Sequence, residues 1–263
     1  MALAHQAESV KTPPRLIAVI GASGAGKTTY LGMLMDILTR QVGLPRTTAR
    51  GPLSIALQQT TATALSTGWF PEKTEHNPEQ WHWVHCQFHC RRRRKPIEVV
   101  FADIAGTSFA EETEHDGRYP AIRAILARCA GVMAIVDAER LKAGDHEHDF
   151  VTLKLLTLLG DLRDEQQRNW RLRSSERRPF ALVLTKADKC DGHIEEPREF
   201  AEAPAGTLPG SCQTRFPRNQ VFACSVAGGT AQRDLYGSPQ AVPLRIEPHG
   251  IVEPFGWPVT EMK

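Results

Sequence analysis

Short apolar runs recur at residues 15–20, 97–102, 131–136, 180–184 and 221–224, each bounded by Gly, Pro or charged positions. Runs of this length without polar alternation predict strands buried on both faces of a parallel sheet. Between them the period changes. Leu31, Leu34, Met35 and Leu38 predict a helix from Lys27 to about Gln41, ended by Gly43 and Pro45. Leu53, Ile55, Leu57 and Leu65 predict a second over Pro52–Ser66, broken by Gly68-Trp69-Phe70-Pro71. Further helices are predicted at 118–129 and at 148–173, the latter with Leu153, Leu156, Leu159 and Leu162 inward. Residues 80–90 instead alternate, and with the charged turn 91–95 and the run 97–102 they predict an antiparallel hairpin whose outer member is an edge strand. Residues 190–219 read as a long loop with room for one short helix. The alternation of strands and helices predicts an α/β fold, a mostly parallel doubly wound sheet with one antiparallel edge strand.

Length and composition bound the rest. With 263 residues and 41% hydrophobic content, the chain can bury one substantial core. The expected division is a loose leader at 1–14, a domain at 15–228 with inserts at 43–79 and 190–219, and a Pro-rich extension at 229–263 that packs back. A net charge of +2 points to no general nucleic-acid affinity. Six scattered cysteines, no signal-peptide pattern and no apolar run of about 20 residues predict a cytoplasmic protein with reduced thiols and no transmembrane segment.

The chemistry starts after the first strand. Gly21, Gly26, Lys27 and Thr28 fit G-x-x-x-x-G-K-(S/T), a phosphate-binding loop. Ala22, Ser23, Gly24 and Ala25 are small enough for consecutive backbone N–H groups to curl around a phosphate, and Thr29 continues into the helix whose dipole adds to them. Lys27 would bridge the outer phosphates and Thr28 would take a position on Mg²⁺. Asp103 ends the run at 97–102, where a carboxylate holds Mg²⁺ through water. Gly106, three residues on, lets a backbone N–H approach the terminal phosphate.

Thr185, Lys186, Ala187 and Asp188 follow the strand at 180–184. Guanine offers two adjacent donors, which one ionised carboxylate accepts together; adenine cannot supply them, so Asp188 selects guanine. The Lys186 stem can lie on the base plane with its ammonium in water. Ser225 and Val226, after the last strand, can offer a backbone N–H to the guanine oxygen.

These three motifs, in this order and on these strands, resemble the GTPase domain of the Ras-like, translation-factor-related superclass over about residues 15–228. The stretch Gly68-Trp-Phe-Pro-Glu-Lys-Thr74 and the ending Ile251-Val-Glu-Pro-Phe-Gly-Trp257 are similar to the bacterial double-GTPase family. The resemblance implies GTP and GDP as ligands, Mg²⁺ as cofactor, a GTP/GDP switch, and protein partners in a multi-component bacterial system, among them an activator or second GTPase. It also requires a switch threonine, for which Thr74 is favoured over Thr67 and Thr60. One position departs from the pattern: Thr107 stands where a water-orienting Gln or His is expected. Lys27 and, by position alone, Thr107 are the candidate catalytic groups. Slow intrinsic hydrolysis is the consequence, and a GTP-binding scaffold with little turnover is the alternative; Glu111 and Glu112 are either helpers or a helix's acidic first turn.

Three other patterns rank lower. His82, His85, Cys86, His89 and Cys90 suggest zinc, but strand alternation leaves one face with two thiols about 14 Å apart. The basic segment 91–95 reads as a solvated hairpin turn, with contact to phosphate or acidic lipid as the alternative, and 168–178 reads as solvated surface, with partner docking as the alternative. Cys190 is a redox candidate if exposed.

Overall fold

A computed structural model describes residues 14–40, 46–72, 81–89, 96–168, 178–190, 194–202, 208–235 and 237–262. Thr74, the basic turn 91–95 and most of the leader therefore lie outside the described residues.

Strands β1 (Arg15–Ile20), β4 (Ile97–Asp103), β5 (Gly131–Asp137), β6 (Phe180–Thr185) and β7 (Asn219–Ala223) run parallel, with β1 between β4 and β5. Strand β3 (His82–His89) is antiparallel to β4 from Phe88↔Ile97 to His82↔Asp103, which forms the expected hairpin. Its outer member is not the edge. Strand β2 (Arg46–Arg50) pairs antiparallel on β3, and the sheet reads β2-β3-β4-β1-β5-β6-β7. The polar sequence Arg-Thr-Thr-Ala-Arg suits that edge position, where a strand packs on one side and meets water on the other.

Strand alternation sorts the core into two layers. Ala18, Ile20, Ala134, Val136, Leu182 and Leu184 face one cluster. Helices α4 (Pro120–Arg128) and α6 (His146–Arg168) cover it with Ile122, Leu126, Leu155 and Leu159. Ile17, Val19, Phe101, Met133, Ile135 and Val183 face the other. There α1 (Lys27–Arg40) and α2 (Pro52–Ser66) bring Leu31, Leu34, Leu57 and Leu65. Both layers are almost fully buried, which is why β5 and β6 carry unbroken apolar sequences.

Several elements differ from expectation. Helix α3 (Gly106–Glu114) starts directly at Gly106, and α5 (Ala138–Lys142) follows β5. Among its described residues, the stretch 190–219 expected as a long loop holds two helices, α7 (Pro197–Glu202) and α8 (Leu208–Arg215); Leu208 and Cys212 join the core. Beyond β7 come β8 (Ser225–Ala227), β9 (Thr230–Leu235), β10 (Ser238–Pro243), β11 (Ile246–His249) and α9 (Glu253–Glu261). β9 and β10 form an antiparallel hairpin, and β11 pairs with β8. Phe255 of α9 packs edge-on to Phe88 at 5.3 Å between ring centroids and lies 5.7 Å from Phe101.

Candidate functional site

The sheet order reverses at β1, and a crevice opens there at the carboxyl ends of the parallel strands, the usual ligand position in open α/β sheets. A cavity of about 650 Å³ occupies it. Its lining includes Ser23, Gly24, Gly26, Lys27, Thr28 and Thr29 at one end. Lys186, Asp188, Ser225 and Val226 line the other, with Gly106 and Thr107 between. The sequence motifs, scattered over 200 residues of chain, thus meet in one space.

Glycine is needed at two points of the phosphate loop's surroundings. Gly21 has φ +147°, and a Cβ there would lie 2.3 Å from the Ile135 carbonyl oxygen. A Cβ on Gly106 would lie 2.3 Å from the Ser23 nitrogen, so the start of α3 rests directly on the loop. The Lys27 ammonium donates to the carbonyls of Gly21 at 2.9 Å and Ala22 at 3.0 Å. Burial pushes its pKa down from 10.5 to about 8, against the pull of Asp103. A buried ammonium so disfavoured is primed for an anion. Ala25 sits in the core, and its carbonyl accepts from the Thr185 hydroxyl at 2.6 Å, as the Val136 carbonyl does at 3.1 Å. Thr185 therefore ties the phosphate loop to β5.

The Thr28 hydroxyl donates to Asp103 Oδ2 at 2.8 Å, and Asp103 is fully buried. A hydroxyl and a carboxylate side by side next to a phosphate loop are hard oxygen donors suited to Mg²⁺, so the residues present fit that ion. The fallback switch threonines do not reach the cavity. Thr67 donates to the Thr63 and Ala64 carbonyls at the end of α2, and Thr60 is exposed on that helix.

At the base end, Asp188 Oδ2 is buried and has no hydrogen-bond donor among the described residues. Burial raises its pKa, partly offset by its own backbone N–H and by Lys189. Such an acceptor aimed at a cavity matches the paired donors of guanine. Lys186 differs from expectation. It takes a left-handed conformation, φ 57° and ψ 33°, and its ammonium is ion-paired with Asp137 rather than lying in water. Asp137, 1% exposed, also accepts from the N–H groups of Glu139 at 3.0 Å and Arg140 at 3.3 Å, capping α5. Sequence reasoning missed Asp137, although an apolar run ending in a lone carboxylate is the signal that found Asp103.

Glu111 and Glu112 lie in the last turn of α3, away from the cavity lining, and neither belongs to an acidic first turn. Burial alone would raise the Glu112 carboxyl, yet bonds from the Tyr119 N–H, Arg123 and the Gly117 N–H hold it below its ordinary value. Glu111 accepts from Arg118 and the Tyr119 hydroxyl. His85 bonds Glu98 at 2.7 Å, whereas Cys86 is buried on the opposite face with its thiol pushed up to about 12 by burial. The side chains of His82 and Cys90 lie outside the described residues. Arg178, from the second basic segment, donates to the Leu126 and Ala127 carbonyls and so caps α4. Cys190 is buried.

A phosphate loop, two strand-end carboxylates and a shared cavity define a P-loop nucleotide-binding protein. Residues 15–227 match the family described as Double-GTPase 2, and the chain belongs to that family. It is accordingly a GTP-binding GTPase. No individual curated protein matches the chain significantly. Among the described residues, no helix is long and apolar enough to cross a membrane.

Proposed function

We propose that the chain is a guanine-nucleotide switch with slow intrinsic hydrolysis, working in the cytoplasm with protein partners of a multi-component bacterial system. The observation that carries the reading is the single cavity lined by both Lys27 and Asp188. Lys27 and the N–H groups of residues 22–29 hold the phosphates, and Asp188 takes the two guanine donors. Lys186, fixed by Asp137, supports the base, and Ser225 and Val226 close its edge. Thr28 and Asp103 would hold Mg²⁺, with Thr74 as the proposed third partner; bound there, the ion neutralises charge developing on the phosphate oxygens. Gly106 meets the terminal phosphate, so its loss on hydrolysis acts on the first turn of α3.

Thr107 is the nearest side chain after Gly106 that lines the cavity, and its short hydroxyl lacks the reach of a glutamine. Turnover without a partner is therefore expected at about 10⁻⁴ to 10⁻² s⁻¹. The same residue favours a second reading, a GTP-holding scaffold with scarcely any turnover. Binding of GTP, GDP and ATP followed by single-turnover product analysis separates the two. Equal affinity for ATP and GTP removes the guanine reading, turnover of several per second removes the slow one, and retained GTP without product selects the scaffold.

A further inference from the structure

Two segments outside the phosphate-loop, Asp103–Gly106 and Thr185–Asp188 motifs also line the nucleotide cavity. One is Phe70, Pro71 and Glu72, following α2; the other is Thr230 of β9 with Ala241 of β10. The hairpin lies beyond residues 15–227, the family-matched part of the chain. Its placement follows from its roots. The Gly228 N–H donates to the Arg245 carbonyl at 3.2 Å and the Leu244 N–H to the Gly229 carbonyl at 3.0 Å. Just below, β11 pairs with β8 at Ile246↔Ala227 and His249↔Ser225, the strand carrying Ser225 and Val226. The ribbon thus projects from the base end of the cavity, its root tied by these bonds to the strand carrying Ser225 and Val226.

Its far part reaches the other segment. Thr230 and Ala241 belong to one face of the ribbon by register, and Arg233, out of phase with them, belongs to the alternate face. The Arg233 guanidinium lies 5.5 Å from the centre of the Trp69 ring. Trp69 is held in turn by its N–H bond to the Ala64 carbonyl at 2.9 Å, at the end of α2. Directly after it come Phe70 to Glu72. The cavity that holds Lys27 and Asp188 is therefore also lined by two segments that are fastened to one another across an exposed cation–aromatic contact.

We propose that the β9–β10 hairpin is a retention clasp, latched to Trp69 by Arg233, that limits release of the bound nucleotide. The proposal rests on the guanine-nucleotide reading of the cavity. A cation over an aromatic face at an exposed site is worth a factor of about two to five, which sets the expected effect of losing the latch.

The test is the release rate of tritiated GDP, chased with unlabelled GDP on the full chain. Arg233→Ala should release GDP about two- to fivefold faster, Arg233→Lys should stay near the wild-type rate, and Arg233→Glu should match or exceed the alanine variant. Because Gly229 and Leu244 are already hydrogen-bonded, residues 230–243 can be replaced by an Asn-Gly turn. That variant should release GDP at least about tenfold faster while keeping its preference for GDP over ADP, since Asp188 is untouched. Wild-type release rates in Arg233→Ala and Arg233→Glu overturn the latch, and a wild-type rate in the hairpin replacement overturns the clasp. Failure of the wild-type protein to hold GDP overturns the underlying nucleotide reading and the clasp together, an outcome distinct from either.

Discussion

Nucleotide binding should draw a proton from solution through Lys27. In the free protein burial holds this ammonium at about pKa 8, down from 10.5. That gap corresponds to about 3 kcal/mol against the charged form. Phosphate oxygens at the loop restore the charge and raise the pKa again, so the complex stays protonated at a pH where the free protein has lost its proton. At about pH 8.5 the free protein carries roughly a quarter of a charge on Lys27, and binding should take up about 0.8 proton and be about fourfold weaker than at about pH 6.5. Calorimetric titration with GDP in two buffers of different ionisation enthalpy reads the uptake directly. Lys27→Arg keeps its charge throughout this range and serves as the control. The same linkage acts on the fold: between about pH 8 and 10.5 the unfolded chain binds more protons at this residue, so this group's penalty fades and the free protein gains stability as the pH rises. No uptake at about pH 8.5, together with an affinity flat from about pH 6.5, would refute the reasoning.

Three further outcomes follow from the geometry. Asp188→Asn puts a donor where two donors must be accepted, and GDP's advantage over ADP in competition binding should fall by about 100-fold or more; an intact preference would remove Asp188 from base recognition. Glu112→Gln breaks a buried ion pair and should destabilise the protein by about 3 kcal/mol in urea unfolding at neutral pH. Because the Glu112 carboxyl is held low, its contribution is present above about pH 4.5 and is lost as the pH falls through the depressed folded value, so the two proteins should converge in acid; a gap unchanged in acid contradicts the assignment. Gly106→Ala must push α3 off the Ser23 nitrogen, overpacking that costs about 1–3 kcal/mol, and should weaken GTP more than GDP in parallel titrations. Equal weakening would mean that Gly106 does not meet the terminal phosphate.

The parts of the site legible in the sequence were those whose chemistry is local. The phosphate loop needs small residues, a lysine and a threonine in fixed succession, and Asp188 sits in a tetrad after an apolar strand. The parallel strands showed because burial on both faces leaves unbroken apolar runs. What escaped depends on partners distant in the chain. Strand β2 has no apolar alternation, since only pairing with β3 makes it a strand. The Pro-rich extension at 229–263 showed no strand pattern, yet β10 holds Pro239 and Pro243, since a two-stranded ribbon tolerates proline where no partner needs its N–H. The ammonium of Lys186 was expected in water because Asp137 stands 49 residues away in sequence.

The carboxyl-terminal stretch gives the homologous region a boundary that packing does not respect. The Tyr30 hydroxyl, on the helix that follows the phosphate loop, donates to the Ile251 carbonyl at 2.9 Å, and Phe255 fills the space over Phe88 and Phe101. A fragment cut at residue 227 would keep the phosphate loop, Asp103–Gly106 and Thr185–Asp188, lose the family-like ending at 251–257, and uncover the aromatic floor formed by Phe88 and Phe101. Excision along the similarity limit should therefore yield an aggregating polypeptide, whereas retaining the final helix preserves the hydrophobic seal on which α1 depends.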